Sequence, residues 1–100
     1  MLYDMTERLK FDDDPVLKIK DTELTIKSDA PTVLKLMDIM QQNGEMEAAV
    51  KAVDLLFSPK DRKKLDAMNL KMSDFIEVIS VAVALAVGED PDEEESQGEA

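Results

Sequence analysis

The spacing of apolar residues changes character along this chain. Between residues 16 and 27, Leu17 and Ile19 alternate with Lys18 and Lys20, and Leu24 and Ile26 alternate with Thr25 and Lys27. A repeat of two sends successive side chains to opposite faces, so these runs predict two half-buried strands. Asp21-Thr22-Glu23 separates them, which makes a β-hairpin the economical reading, although no Asn-Gly or Asp-Gly marks the turn. A lone hairpin is marginal in water. Its Leu17/Ile19/Leu24/Ile26 face therefore has to pack on helices, or its edge has to pair with another chain.

After Ser28 the repeat lengthens to that of a helix. Ser28 or Asp29 can cap the first free amides, and Pro31 suits a first turn because it has no N–H to lose. Val33, Leu36, Met37 and Met40 then share one face, and Asn43-Gly44 is read as the stop. A second helix places Met46, Ala49, Val50, Val53 and Phe57 together. Ser58-Pro59-Lys60-Asp61 opens a third, with Ser58 as cap, Asp61 near the positive helix end, and Leu65 and Met68 facing the core. Asn69 to Met72 is read as a connector, and Ser73 with Asp74 starts a last helix that Gly88 stops. The fold class is α+β, mainly α: a short hairpin packed on a small bundle of about four helices.

The last helix carries more apolar faces than one core needs. Phe75, Ile79, Ala82 and Ala86 make one stripe, and Ile76, Val83 and Val87 a neighbouring one. Val78, Val81 and Leu85 lie elsewhere around it. A helix that is apolar all round must be covered all round. Either it is central to its own domain, or one stripe serves a partner or self-association. Phe75, Ile76, Ile79, Val83 and Val87 are the candidate partner-binding residues. Seven methionines add adaptable apolar volume, more often core than contact surface.

Ahead of the hairpin, residues 1–15 form a lead segment in which Leu2, Met5 and Leu9 fall at weakly helical spacing. Asp12-Asp13-Asp14-Pro15 breaks it. Those aspartates do not make a calcium loop, because Leu17 stands where the sharp turn needs Gly and Val16 where an oxygen ligand belongs. The domain proper spans 16–88.

Charge alters the picture at the far end. Of 100 residues 23 are acidic and 12 basic, a net charge of −11. Seven of the acids lie in residues 89–100, which hold no base, so residues 1–88 carry −4. That stretch has no large apolar residue and reads as an acidic, disordered tail. A balance this acidic argues against nucleic acid as a partner, because phosphate affinity comes from clustered Lys and Arg. Lys60, Arg62, Lys63 and Lys64 form one basic group with no interleaved aromatics, read as a solvated helix face or a docking contact.

With neither His nor Cys, the chain can form no disulfide, no Cys/His zinc site and no Ser–His or Cys–His nucleophile. There are three glycines and no phosphate loop. No carboxylate pair is singled out for acid–base work. No catalytic residue, cofactor or metal ligand is expected. Met1 to Lys10 mixes Asp4, Glu7 and Arg8 among its apolar residues, unlike a secretory leader, and Phe75–Val87 is too short to span a bilayer. A soluble, non-enzymatic binding protein is the expectation.

The order of features resembles a known family. An acidic break precedes the hairpin Leu17–Lys27; Ser28-Asp29-Ala30-Pro31-Thr32-Val33-Leu34 opens a capped helix; Phe57-Ser58-Pro59-Lys60 leads into Lys64-Leu65-Asp66-Ala67-Met68-Asn69-Leu70; and Asp74–Val87 closes on Gly88-Glu89-Asp90. Over residues 10–90 this cadence resembles the tail assembly chaperones of long-tailed bacteriophages and of prophages in Gram-positive bacteria. The resemblance implies a mostly helical protein in the cytoplasm of the bacterial host. It would bind the tape measure protein and keep it soluble while tail tube subunits polymerise, with the tail tube protein as a further candidate partner. It also implies a longer form made by frameshifting, diverging near the acidic tail. A competing class is an acidic decoy or regulator that binds a basic partner, favoured by the net charge and the tail.

Overall fold

The computed structural model describes residues 1–10 and 12–90. Strands β1 (Val16–Ile19) and β2 (Thr22–Thr25) form an antiparallel hairpin, followed by helices α1 (Ala30–Gln42), α2 (Glu45–Leu56), α3 (Pro59–Ala67) and α4 (Met72–Ala86). Leu17 stands opposite Leu24 and Ile19 opposite Thr22. The alternation read from the sequence is therefore the alternation of burial: Leu24 and Ile26 are fully buried and Leu17 and Ile19 pack against the core. The expected loop at Asp21-Thr22-Glu23 is instead a two-residue turn, Lys20-Asp21, with Thr22 and Glu23 already in β2. Lys20 takes a left-handed φ of 55°, a conformation a glycine adopts at less cost.

The hairpin is tied to the helices through its ends. Ile26 N–H donates to Pro15 O at 2.9 Å, extending the ladder, and Lys27 N–H donates to Leu56 O at 2.9 Å, fixing the exit from β2 against the end of α2. Asp29 caps α1: its Oδ2 accepts from Thr32 N–H at 3.2 Å and its Oδ1 from the Thr32 hydroxyl at 2.8 Å. Those two bonds, the hydroxyl's first, hold its carboxyl below the usual carboxylate range. Ser58 caps α3, accepting from Asp61 N–H at 3.2 Å, with Pro59 in the first turn as the sequence predicts.

Helix α1 stops at Asn43 as expected, but two details differ from the sequence reading: how that stop is made and where α4 begins. Asn43 and Gly44 are not left-handed; Asn43 is extended and Gly44, at φ −67°, is the N-cap of α2. Helix α4 begins at Met72, ahead of Ser73, and its N-cap Lys71 makes no side-chain capping bond. Gly88 does stop α4: it is left-handed at φ 86°, its N–H reaches Leu85 O at 3.2 Å, and Glu89 N–H reaches Ala84 O at 2.8 Å. Together these make a Schellman motif.

Helix α2 is the hub, packing on α1, α3 and α4, while α3 also packs on β2. The core gathers Leu24, Ile26, Leu36, Val53, Phe57 and Leu65, with Ile79, Ala82 and Ala86 from α4. On α2 the buried line is Ala48, Ala52 and Leu56 with Val53, rather than the face expected from Met46 and Val50, which are more than half exposed. Small side chains at every fourth position let a neighbouring helix approach closely, so the alanine line is buried and the bulkier side faces out. On α1 Leu36 is buried, whereas Met37 and Met40 are about half exposed. The lead segment 1–10 holds a single 3-10 turn, Thr6–Arg8, and every one of its residues is exposed. Of the acidic tail, residues 91–100 lie outside the described residues.

Candidate functional site: an apolar groove between α1, α2 and α4

The faces that the core leaves uncovered are adjacent. Helices α1 and α4 both lean on α2, and the space between them is an open groove of about 700 Å³. Its floor is Ala48, Ala49 and Ala52 of α2. One wall is Met37 and Met40 of α1; the other is α4. The depth follows from side-chain length: alanine gives a floor close to the backbone, and the walls stand on longer side chains. Methionine on the lip gives a flexible thioether surface that adapts to what enters.

Four of the five candidate residues from the sequence meet here. Ile76, Ile79, Val83 and Val87 line the groove, whereas Phe75 is packed against the core. Their roles differ. Ile79 is 5% exposed and belongs to the core as well as the wall. Val83 and Val87 are half-buried and touch both. Ile76 is half-buried and faces the groove. The sequence reading did not place Met37, Met40 and the three alanines here; it read the methionines as core. The signal available was the closely spaced Ala48-Ala49 and Ala52 on a helix whose other apolar residues are large.

The charged residues of the groove lining are acidic: Glu45, in the first turn of α2, and Glu89, just past the α4 stop. The α4 terminus adds its own negative end there, with no basic residue in its last turn. Elsewhere the charges are used structurally. Arg62 bridges Asp54 and Asp66, Lys51 pairs with Glu47, and Lys64 with Asp61. The basic group at 60–64 is thus partly consumed in holding α3.

Asp61 is the buried charged residue of the core, 8% exposed. Its Oδ2 accepts from Thr25 N–H of β2 at 2.9 Å, and its Oδ1 lies 3.5 Å from Lys64 Nζ. Beyond its expected place near the positive end of α3, it anchors the hairpin. Among the described residues no group of acidic side chains is arranged to hold a metal ion, and no helix is long and apolar enough to cross a membrane. Comparison with known proteins finds no match: no family model, no curated protein and no solved structure matches this chain.

Proposed function

We propose that the protein is a phage tail assembly chaperone, a holdase that binds the tape measure protein through the groove between α1, α2 and α4. The observation that carries the binding role is the groove itself, an apolar cleft walled by adaptable methionines in a small domain. Grooves of this kind take the apolar face of an amphipathic helix. The tape measure protein as client comes from the resemblance in the order of elements over residues 10–90. The net charge of −11 suits a protein that keeps an apolar client in solution, because charged complexes repel one another. On this reading the tail tube protein displaces the chaperone as the tube forms, and no bond is made or broken.

The test is co-expression with the tape measure protein and co-purification. Met40 and Ile76 are the residues to change, because Met40 is about half exposed and Ile76 faces the groove. Met40→Asp with Ile76→Asp leaves the helical circular dichroism in place and abolishes co-purification. If the folded double variant retains the tape measure protein at the wild-type level, the groove is not its binding surface. A wild-type protein that captures a basic DNA-binding protein but no tape measure protein would instead support the acidic decoy.

A further inference from the structure

The charged residues that line the groove are of one sign. Glu45 and Glu89 are both exposed there, and among the described residues no Lys or Arg lines it. Neither carboxylate has a basic partner among those residues. Lys51 reaches the lining residue Asn43 at 3.1 Å, but Glu47, 3.6 Å away, balances its charge. Val87 lies at the C-terminal end of α4, where the helix dipole is negative and no basic residue in the last turn offsets it. The apolar lining, for its part, has the length of a helix contact. On α4 it recurs as Ile76, Ile79, Ser80, Val83, Ala84 and Val87. That stripe covers about three turns, or about 16 Å at about 1.5 Å per residue.

We propose that the groove selects a basic amphipathic helix. The occupant is a partner segment of about three turns or more that lays its apolar stripe in the groove and carries Lys or Arg beside it. This names the partner chemistry of the binding role proposed above and rests on that role. Charge complementarity picks the occupant. Long basic side chains cover apolar surface with their stems while their charged heads reach the carboxylates. The chain's own segments fail on the same ground. Residues 1–14 bring five acids against Arg8 and Lys10, and residues 91–100 are acidic with no large apolar side chain. A second copy brings a net charge of −11 to meet the same charge. A basic helix is instead attracted, by the whole chain during approach and by Glu45 and Glu89 at contact. Both carboxylates are exposed, so they decide which helix is taken, while the apolar face supplies most of the affinity.

Fluorescence anisotropy with synthetic peptides is the test. Three helical peptides of about 18 residues share one leucine face and carry Lys, Gln or Glu at the other positions. The full chain binds the Lys peptide about five- to tenfold more tightly than the Gln peptide, and the Glu peptide most weakly. Glu45→Gln/Glu89→Gln removes most of that Lys preference and leaves the Gln peptide unaffected. Added salt also reduces the preference, because exposed charges are screened. Met40→Gln/Ile76→Gln, with unchanged circular dichroism, weakens all three complexes.

Equal binding of the three peptides overturns the proposal. So does a Lys preference that survives Glu45→Gln/Glu89→Gln and is lost only when residues 91–100 are removed, since that places the cations on the tail. A Lys peptide with its leucines scattered around the helix has to bind more weakly than the patterned one; equal affinity means that the groove is not what is read. A wild-type dimer that Met40→Gln/Ile76→Gln dissolves puts a second copy in the groove and overturns the proposal as well. Capture of the tape measure protein is a separate readout. A groove that captures that protein without preferring the Lys peptide sinks the basic-helix rule alone, and a Lys-selective groove that never captures it sinks the chaperone reading alone.

Discussion

Asp61 offers the sharpest test of how the hairpin is held. Its side chain reaches from the first turn of α3 to the backbone of β2, across 36 residues of sequence, and accepts Thr25 N–H at 2.9 Å while nine-tenths buried. A hydrogen bond to a charged partner contributes about 1.5–3 kcal/mol, and the amide left behind keeps its desolvation cost. The Lys64 contact adds little, because Lys64 is substantially exposed and surface pairs contribute about 0–1 kcal/mol. Removing the negative charge from the N-terminal turn of α3 costs a further 0.3–1 kcal/mol or so. Asp61→Ala therefore destabilises the domain by about 2–4 kcal/mol, a large fraction of the roughly 5–15 kcal/mol of a typical domain. Asp61→Asn keeps a carbonyl oxygen for Thr25 N–H and loses the charge alone, so it costs about 1 kcal/mol. Urea unfolding measures both losses, and hydrogen exchange at the Thr25 amide locates the effect. Its protection falls in the Ala variant and persists in the Asn variant. Equal losses in the two variants, or a Thr25 amide indifferent to both, would refute the assignment of Asp61 as the anchor.

Two other outcomes follow from the helix ends. Lys71 sits at the N-cap of α4 with no side-chain capping bond and with its cation at the positive end of the helix dipole. Lys71→Ser supplies a capping oxygen, stabilises by about 1 kcal/mol and raises Tm by several degrees; an unchanged or lower Tm in a thermal melt contradicts this. The second outcome concerns acid. Because the folded-state pKa of Asp29 is lowered by its bonds to the Thr32 hydroxyl and amide, its stabilisation is present above the unfolded pKa of about 4 and is lost as pH falls through the folded value. Asp29→Asn keeps a neutral cap without this titration. The gap in urea midpoint between wild type and Asp29→Asn is therefore largest near neutrality and shrinks below about pH 4; a constant gap from pH 7 to about pH 2.5 would show that the charge is not the contributor.

What the sequence exposes is whatever local chemistry decides. Period-two alternation placed Leu24 and Ile26 inward, and both are fully buried. Asp29, Ser58-Pro59 and Gly88 act through backbone groups within a few residues, so their roles could be read directly. Helix faces are another matter. On α1 and α2 the apolar residues outnumber the places the core offers, and 3.6-residue periodicity cannot say which subset is covered. Met37, Met40, Met46 and Val50 match the period as well as Leu36 does, yet all four are about half exposed: on α2 it is the line through Ala48 and Ala52 that is buried, and Met37 and Met40 of α1 stand over the groove. The role of Asp61 was equally hidden, since its partner is a backbone amide brought close by the tertiary fold.

The groove is the structural answer to the surplus of apolar faces on α4. That helix buries Ile79, Ala82 and Ala86 in the core and turns Ile76, Val83 and Val87 to the cleft. Met37 and Met40 form the α1 lip, and Glu45 and Glu89 are the charged residues of the lining. On the proposed reading, apolar lining and a flexible methionine lip suit the groove to the apolar face of an entering helix.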